Sequence, residues 1–410
     1  MNPNRIVPLL VDWFARNARD LPWRRTQDPY AIWVSEIMLQ QTQVRTVLPY
    51  WERWMRALPT IRALAKAKPE KLHKLWEGLG YYSRVRNMQR AAQTILRRHG
   101  GKFPNRYEEV LELPGIGRYT AGAICSIAFG QPKPVVDGNV IRVLTRVFGI
   151  DGDPRGKQVN ATLWHLAEEL VNQAAVVQGE ETGGAQRAAA SAWPNLTSPP
   201  PSPRGEEETT SVDRPIPGSE VSGEPTVAAA FAASNFNQAL MELGALVCTP
   251  RQPRCESCPV VELCAAFQEQ RIDNLPAIKP RVATSLRRFV AFVVEKRGRV
   301  LVWQRPEGGV NAHLWEFPNV EITQHSDEIK KSARKVLRVS PKTLKRLCSI
   351  KHTITRYRIT LDAYYATGVE TIEKHNGLRW FRRAELKHRA FTSAHRKVLM
   401  RLVEGREGVD

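Results

Sequence analysis

The sequence predicts a multidomain protein in which an all-α module comes first and an α+β module follows. Up to about residue 173, apolar residues recur at helical spacings of three and four. After Asp273 the pattern changes to alternating strands joined by short turns. The 410 residues are enough for two or more domains that each bury a core.

The helical module begins with a short apolar stretch and continues into a longer helix. The stretch from Ile6 to Ala15 is interrupted by Pro8 and Asp12, which favours an amphipathic surface helix over a signal peptide or a membrane span. The next helix is predicted to start at Asp28 and Pro29, an N-cap followed by a proline in the first turn. Its apolar stripe is formed by Trp33, Ile37, Val44, Leu48 and Trp51.

A segment of different composition interrupts the helical pattern. Residues 178–226 hold eight of the chain's 28 prolines, together with many Ser, Thr, Gly and Glu residues. Such a composition buries too little apolar surface to offset the entropy lost on folding. We therefore expect a disordered insert at 174–230 that loops out of the fold, with helical patterning resuming at Asn235.

The C-terminal module is predicted to contain a β-hairpin and a half-buried strand. Phe289–Val294 and Val300–Gln304 flank a short charged turn, as in a hairpin. Residues 357–365 alternate between apolar and polar side chains, which predicts one buried face. The outer face of that strand is predicted to carry Arg356, Arg358, Thr360 and Asp362.

The charge of the chain favours a polyanionic partner. Lys and Arg number 61 against 41 Asp and Glu, giving a formal net charge of +20. Nucleic acid is the first candidate, and a basic surface that only maintains solubility is the alternative. Because no membrane segment is evident, we expect a cytoplasmic protein, associated with the nucleoid if the source is bacterial.

Four of the six cysteines lie close together in sequence. They are Cys248, Cys255, Cys258 and Cys264. Disulfides are not expected inside the cell, so the cluster predicts a metal site. Four thiolates bind either zinc or an iron–sulfur cluster, and their number alone does not decide. Zinc sites usually use two close pairs of ligands, whereas this spacing has one.

A glycine-containing turn is predicted between the helices Tyr107–Leu113 and Arg118–Phe129. Gly115 and Gly117 would present backbone N–H groups at a helix N-terminus, a geometry that suits a phosphate. Taken alone, the two glycines fit a plain connection between helices equally well. Farther on, Asp137 is predicted to cap a helix that runs to Phe148, whose dipole would keep its carboxylate ionised.

In its full context the turn, LPGIGRYTA, resembles the helix–hairpin–helix of DNA glycosylases related to endonuclease III. The cysteine spacing matches the four-iron four-sulfur loop of that superfamily. The segment WVSEIMLQQT, residues 33–42, is very similar to the one that carries the catalytic Glu of the adenine DNA glycosylase (MutY) family. The resemblance covers nearly the whole chain except the insert. It implies an all-α glycosylase core with an iron–sulfur loop, followed by an α+β Nudix-like domain.

The resemblance implies hydrolysis of the bond between adenine and deoxyribose, at adenine opposite 8-oxoguanine or guanine in double-stranded DNA. Glu36 would protonate the leaving base, and burial beside apolar neighbours would raise its pKa into the range of a general acid. Asp137 would stabilise the oxocarbenium ion of the sugar, with Tyr119 and Asn139 close by. Bifunctional relatives carry a Schiff-base lysine where this chain has Tyr119, so a monofunctional glycosylase is expected.

The same resemblance assigns DNA-contacting residues. Gln41 and Tyr81 would enter the helix beside the oxidised guanine after the adenine is flipped out. The adenine pocket would be lined by Arg19, Arg24 and Gln238.

The C-terminal module is similar to the Nudix-like domain with which this family senses oxidised guanine. Residues 314–318 and 391–397 both fit that domain, whereas residues 321–340 lack the paired glutamates of a Nudix hydrolase. Nucleotide pyrophosphatase activity is therefore not expected. Thr355 stands where a hydroxyl would lie near the lesion, although the aromatic and the imidazole that often flank it are replaced.

The predicted divisions are 1–173 and 231–272 for the glycosylase core, 174–230 for the insert, 273–284 for a linker and 285–405 for the Nudix-like domain. We expect a monomer that does not contact membranes. Three alternatives stay open: an endonuclease III-like glycosylase/lyase, a mismatch-specific thymine DNA glycosylase, and a non-enzymatic DNA-binding protein with a cysteine-bound metal.

Overall fold

The computed structural model describes residues 5–181, 227–278, 284–323, 328–354, 356–369 and 377–404. Two compact units make up the chain, and each consists of two separate segments. The first unit contains Met1–Ile37 and Phe103–Lys279, and the second contains Met38–Lys102 and Pro280–Asp410.

The secondary structure of the described residues follows the predicted order of helices first and strands later. The helices are α1 (Ile6–Asn17), α2 (Pro29–Leu39), α3 (Val44–Ala57), α4 (Ile61–Lys66), α5 (Pro69–Trp76), α6 (Ser83–Arg98), α7 (Tyr107–Leu111), α8 (Arg118–Phe129), α9 (Gly138–Phe148), α10 (Lys157–Glu181), α11 (Val227–Leu246), α12 (Ala265–Gln268), α13 (Glu328–Leu337), α14 (Arg383–Leu386) and α15 (Ser393–Glu404). The strands are β1 (Ser285–Lys296), β2 (Arg299–Gln304), β3 (Trp315–Glu316), β4 (Asn319–Ile322), β5 (Thr343–Ile354), β6 (Tyr357–Thr367) and β7 (Leu378–Arg382).

The core of the first unit is built around α11. This helix packs against α1, α8, α9 and α10. Its buried apolar residues include Ala233, Phe236, Ala239, Leu240 and Leu243. They meet Val140, Val143, Leu144 and Val147, which recur on α9 at the helical spacing of three and four. The apolar face of α9 is therefore buried against α11, and the N-terminus of α9, which Asp137 caps, is left for chemistry.

Local start signals in the first unit are confirmed. Asp28 caps α2, because its carboxylate accepts the backbone N–H groups of Tyr30 and Ala31 at 3.0 and 3.3 Å. The helix α8 has the predicted bounds. Both α10 and α11 extend into the predicted insert, which leaves residues 182–226 outside the described residues. The disorder of that segment stays a prediction.

The single helix predicted from Asp28 through Trp51 is wrong. Two helices are present instead, because α2 ends at Leu39 and α3 begins at Val44. Between them Gln41 has φ 56°, a left-handed conformation that an α-helix does not tolerate. The period of the apolar residues continued across this turn, so the pattern did not reveal it.

The strands of the second unit form one sheet. Its path runs β3-β2-β1-β6-β5, with β4 paired to β1 and β7 paired to β2. The predicted hairpin is confirmed, since Glu295 pairs with Val300 and Lys296 with Arg299 in antiparallel register. Along most of its length β1 pairs in parallel with β6, which places β6 between β1 and β5.

The predicted polar outer face of β6 is wrong at Asp362. Leu361 and Ala363 join a core that includes α15 residues, whereas Ala366 joins a second core that includes α13 residues. Both faces of this central strand are therefore covered. Asp362 is 1% exposed, and its carboxylate accepts one hydrogen bond from Arg288 of β1 and one from Arg346 of β5, each at 2.9 Å.

Within the described ranges, no helix has the combined length and apolar character that crossing a bilayer requires.

We expect Asp362→Asn to lower the free energy of unfolding of the full chain by about 1–3 kcal/mol, because two arginines lose a buried anionic partner. Burial opposes ionisation of Asp362, but hydrogen bonds from Arg346, Ser349 and Arg288 outweigh it and lower the pKa. A lowered folded-state pKa contributes stability above the unfolded value and loses it as the pH falls through the folded value. The difference in Tm between wild type and variant should therefore shrink below about pH 4.

Glu321→Gln in the same unit is the matched control. Glu321 also pairs with an arginine, Arg287, but their side chains are 37% and 36% exposed. We expect a change of at most about 1 kcal/mol. Equal destabilisation by both variants would contradict the importance assigned to the buried carboxylate of Asp362 and its two arginines.

Candidate active site

Glu36 is a buried carboxylate in the second half of α2. It is 5% exposed, and its Oε2 accepts a hydrogen bond from the Tyr119 hydroxyl at 2.7 Å. Burial raises the pKa of Glu36 to about 7, and the negative charge of Asp137 adds to the rise. The Tyr119 hydrogen bond and the charge of Arg24 act in the opposite direction. The carboxyl group is therefore close to half protonated at neutral pH.

Asp137 caps α9, as predicted. Its Oδ1 accepts the backbone N–H groups of Asn139 and Val140 at 2.9 and 2.7 Å, and its Oδ2 accepts the Asn139 side-chain amide at 3.0 Å. Burial raises the pKa of Asp137, whereas these hydrogen bonds and the charge of Arg142 oppose the rise. The helix N-terminus thus limits the increase in pKa but does not reverse it. Three donors stabilise this anion, whereas Glu36 accepts a hydrogen bond from the neutral Tyr119 hydroxyl.

Tyr119 donates a hydrogen bond to Glu36 and lies within the electrostatic influence of Asp137. It lies in the first turn of α8, directly after the glycine-containing turn. Burial raises its pKa well above the usual value, and the negative charges of Glu36 and Asp137 add to this effect. Tyr119 therefore stays a neutral phenol, which donates a hydrogen bond and offers no amine for a Schiff base.

Two predicted pocket residues, Arg19 and Arg24, bind the same carboxylate. Glu242 of α11 accepts hydrogen bonds from Arg19 Nη2 at 2.7 Å and from Arg24 Nη2 at 2.9 Å. The Glu242 side chain is 1% exposed. Burial opposes its ionisation, but the hydrogen bonds from Arg19 and Arg24 outweigh burial and lower the pKa of Glu242 to about 2. The arrangement is a fully charged cluster with one anion and two cations.

The sequence prediction missed Glu242. The available signal was an acidic residue within an apolar helical stretch, the same signal that singled out Glu36. The third predicted pocket residue, Gln238, lies one turn earlier on α11 and donates its amide to Ser234 Oγ at 3.2 Å. Between them Met241 places its sulfur 3.5 Å from the Tyr119 hydroxyl. The role of Gln238 toward a base stays a prediction.

Asn139 is held from the side opposite Asp137. Its Oδ1 accepts a hydrogen bond from Arg142 Nη2 at 2.9 Å, and Arg142 also donates to the Gly244 carbonyl at 2.7 Å. A Cβ atom at Gly244 would lie 2.6 Å from the Asn139 Cβ. Only glycine at 244 therefore allows α11 to approach Asn139 this closely. Arg142 and Gly244 were also missed in the sequence.

The turn between α7 and α8 has the predicted tight geometry. Gly115 has φ 80°, a conformation that favours glycine. Gly117 is the N-cap of α8, and a Cβ atom at this position would meet no described atom within 4 Å. The backbone at Gly117 is thus exposed and open to a ligand at the helix N-terminus.

Gln41 and Tyr81, predicted to enter DNA, lie in the second unit, in two turns with unusual backbone conformations. Gln41 has φ 56° and Tyr81 has φ 45°, both left-handed although neither residue is glycine. The Tyr81 side chain is 48% exposed. Thr355 lies outside the described residues, so its predicted role is unchanged.

The turn with Tyr81 begins at a buried carboxylate, Glu77. Its Oε1 accepts the backbone N–H of Phe391 at 2.9 Å, and its Oε2 accepts Lys74 Nζ at 2.7 Å. Lys74 also donates to the Arg389 carbonyl at 3.2 Å. This end of α5 is therefore bonded to the segment that precedes α15.

The two C-terminal segments singled out in the sequence come together. Phe317 donates its backbone N–H to His395 Nδ1 at 3.0 Å, and the Phe317 and Phe391 rings lie 5.7 Å apart. The backbone N–H of Trp315 also donates to the Ala390 carbonyl at 2.9 Å. Residues 314–318 thus pack against the buried part of 391–397, whereas Ser393, Arg396 and Lys397 are exposed.

The four clustered cysteines line one cavity in the first unit. Arg146, Leu243, Phe267 and Ile272 also line it. Arg146 donates to Cys248 Sγ at 3.5 Å, which suits a sulfur that carries negative charge. No three His, Cys, Asp or Glu side chains of the described residues are grouped as ligands of a single metal ion. Four sulfurs around a cavity suit a multi-atom cluster, whose ligands surround it instead of converging on one point.

Comparison with known proteins identifies three family models along the chain. Residues 34–169 match "HhH-GPD superfamily base excision DNA repair protein", and residues 289–401 match "NUDIX domain". Residues 248–264, from the first to the last clustered cysteine, match the iron–sulfur binding domain of endonuclease III. The predicted fold class and the iron–sulfur cofactor are therefore confirmed.

Similar proteins from several organisms share the name "Adenine DNA glycosylase". "Adenine DNA glycosylase" of Homo sapiens is 34% identical to this chain, over 97% of this chain and 74% of that protein. The protein of the same name from Schizosaccharomyces pombe is 30% identical, over 92% of this chain and 85% of that protein. A solved thermostable thymine-DNA glycosylase aligns at 24% identity and a TM-score of 0.47, over 65% of this chain and 97% of its own.

We expect the purified chain to be brown, with a broad visible absorption and with iron and sulfide bound, because the four thiolates surround a site for a cluster. Cys258→Ser should abolish this absorption and lower the bound iron. Cys348→Ser is the control, since Cys348 is a free, half-buried thiol outside the cavity and its variant should keep the full spectrum. A colourless wild-type protein with one bound zinc would contradict the assignment.

Proposed function

This chain belongs to the adenine DNA glycosylase family, and from that premise we propose that it hydrolyses the bond between adenine and deoxyribose where adenine stands opposite 8-oxoguanine in double-stranded DNA. The observation that carries the proposal is the pair Glu36 and Asp137, two buried carboxylates close enough for the charge of Asp137 to raise the pKa of Glu36. Two carboxylates with different hydrogen-bond donors are what acid-assisted cleavage of a glycosidic bond needs.

Glu36 is the proposed general acid. Adenine leaves poorly as an anion, so a proton must reach a ring nitrogen as the bond breaks. A pKa of about 7 makes the protonated carboxyl group abundant and still acidic enough to give up its proton at neutral pH. The Tyr119 hydroxyl orients the carboxyl group through its 2.7 Å hydrogen bond.

Asp137 is the proposed stabiliser of the sugar cation. Three hydrogen bonds favour its anionic form, and an anion lowers the energy of the oxocarbenium ion that forms when the base departs. Water then adds to the sugar, which leaves an abasic site. Because Tyr119 offers no nucleophilic amine, the DNA strand itself stays intact.

The charged cluster of Glu242 with Arg19 and Arg24 supports the proposed adenine pocket. Glu242 binds both arginines, so they present fixed N–H donors instead of mobile side chains. A flipped base would find these donors near the general acid, since the charge of Arg24 acts on Glu36. Gln238 contributes a further amide in this proposal.

Cys248, Cys255, Cys258 and Cys264 would hold a four-iron four-sulfur cluster that supplies structural support to the surrounding loop. Arg142 and Arg146 bond to backbone carbonyls of Cys248 and Thr249, so the loop is tied to α9. We propose that the chain acts as a monomer, and that its +20 charge draws it to DNA in a salt-dependent manner. The Nudix-like domain reads the base opposite adenine in this proposal.

The deciding experiment is single-turnover cleavage of duplexes that contain A opposite 8-oxoguanine, A opposite guanine, A opposite T, or T opposite guanine. Each product is split and analysed with and without alkali, which breaks DNA at abasic sites. We expect alkali-dependent breakage at A opposite 8-oxoguanine and none at A opposite T. Breakage without alkali would indicate a glycosylase/lyase, and breakage only at T opposite guanine would indicate a thymine glycosylase.

Glu36→Gln and Asp137→Asn should each slow single-turnover cleavage by roughly a hundredfold or more, because one removes the acid and the other the stabilising charge. The control is Asp12→Asn, which neutralises an exposed carboxylate of the same unit, 61% exposed beside Arg16. It should leave the rate constant within about twofold. Full activity in either catalytic variant would refute the assigned roles.

Tyr119→Phe should shift the pH dependence of cleavage to higher pH. The hydroxyl lowers the pKa of Glu36, so its removal raises that pKa above about 7. Since the reaction needs protonated Glu36, the rate falls as the pH rises through this pKa, and the fall moves upward in the variant. Met241→Leu is the control, because Met241 touches the same hydroxyl at 3.5 Å and should leave the profile in place. A downward shift in Tyr119→Phe would be incompatible with this role.

A further inference from the structure

Arg84 bonds to two turns at once. It lies in the first turn of α6 and is 9% exposed. One nitrogen, Nη1, donates to the Met38 and Gln40 carbonyls at 3.2 and 2.8 Å. The other, Nη2, donates to the Leu79 and Gly80 carbonyls at 2.9 and 3.2 Å. A single guanidinium therefore ties the turn after α2 to the turn before α6.

Each of these turns ends in an exposed residue with left-handed backbone. Gln41 directly follows the bonded carbonyl of Gln40, and Tyr81 directly follows that of Gly80. Their φ angles of 56° and 45° cost roughly 1 kcal/mol or more each for residues with a Cβ atom. Such conformations persist only where surrounding contacts hold them, and Arg84 supplies those contacts on both sides.

Aromatic rings keep the guanidinium in place. The Arg84 Cζ lies 5.2 Å from the centre of the Trp76 ring and 5.8 Å from that of Tyr81. Burial lowers the pKa of Arg84 to about 10, so the group remains charged at neutral pH. Its planar fork serves two pairs of carbonyls, which the single ammonium group of a lysine cannot reproduce.

We propose that Arg84 is a positioning residue that fixes the spacing of Gln41 and Tyr81, so that the two side chains enter DNA together as one rigid wedge. The inference rests on the proposed function and on the prediction that these side chains enter the helix beside the base opposite adenine after the adenine is flipped out. The side chains of Gln41 and Tyr81 are exposed, whereas the backbone carbonyls that directly precede them accept hydrogen bonds from the buried guanidinium of Arg84. A wedge held in this way loses little conformational entropy when it enters the base stack.

The test uses Arg84→Lys and Arg84→Met in the full chain. Each is made in the wild-type background and in a Gln41→Ala/Tyr81→Ala background. Two quantities are measured: the single-turnover rate with A opposite 8-oxoguanine, and the fluorescence of 2-aminopurine placed next to the 8-oxoguanine, which rises when that base is unstacked. The second quantity does not depend on cleavage.

We expect both variants to lower the rate and the fluorescence rise roughly ten- to a hundredfold in the wild-type background. In the doubly substituted background the further loss should be within about twofold, because the side chains that Arg84 positions are gone. Equal losses in both backgrounds would overturn the inference and reduce Arg84 to a residue that only stabilises the fold. If Arg84→Met does not fold, Arg84→Lys, which keeps the charge, decides the outcome alone.

Arg383→Lys is the matched control. Arg383 is also a partly buried arginine of the second unit, which donates to the Leu402 carbonyl at 3.3 Å and pairs with Glu295. It should leave the fluorescence rise unchanged. Failure of the wild type to cleave any adenine would refute the proposed function, whereas an Arg84-dependent fluorescence rise in the same protein would preserve this inference.

Discussion

Two carboxylates in one poorly hydrated site cannot both ionise cheaply, and the rest of the first unit is arranged around this constraint. Asp137 receives the backbone donors of α9, whereas Glu36 receives only a neutral hydroxyl, so the proton resides with Glu36. The positive charge of Arg24 favours the ionised form of Glu36 and so opposes this preference. Glu242 accepts hydrogen bonds from Arg24 and Arg19, so its negative charge compensates part of theirs, and the pKa of Glu36 is about 7. The neighbours of the two carboxylates, and not the residue types themselves, thus determine which one acts as the acid and which one remains the anion.

The helix α11 is the element that carries this arrangement. One side of it forms the core of the first unit, and the other presents Met241, Glu242 and Gly244 to Tyr119, the arginines and Asn139. Beyond its end, the cysteine segment is bonded through Arg142 and Arg146 to α9, the helix that Asp137 caps. A cofactor that orders this segment therefore also restrains the helix N-terminus on which Asp137 depends.

Features of the fold that depend on residues close together in sequence were predicted correctly. The caps at Asp28 and Asp137, the bounds of α8 and the hairpin of β1 and β2 all depend on residues within a few positions. Features that depend on distant partners were missed. Asp362 was assigned to a polar face because Arg288 and Arg346, on flanking strands, are not visible in its own strand. The turn at Gln41 contains no glycine, so no signal in the sequence indicated a left-handed residue there. The four carbonyls that accept hydrogen bonds from Arg84 lie up to 46 positions away from it in sequence. Buried charges are recognised only when their partners are known.

The bond between Glu77 and the Phe391 backbone spans 314 positions, and this has a consequence for the order in which the protein matures on the ribosome. The residues around Tyr81, including Lys74 that pairs with Glu77, are synthesised early, but the Phe391 N–H group that donates to the Glu77 carboxylate follows 314 positions later. Contacts of such long sequence separation form late, since much of the chain must be in place first. Glu36, Tyr119 and Asp137 have all left the ribosome long before that point. The candidate active site also depends on Glu242 of α11, so the first unit is complete only after the residues up to Lys279 have been translated. The bond between Glu77 and Phe391 becomes possible only after that, and the interval between the two is set by the time needed to translate the residues from Lys279 to Phe391.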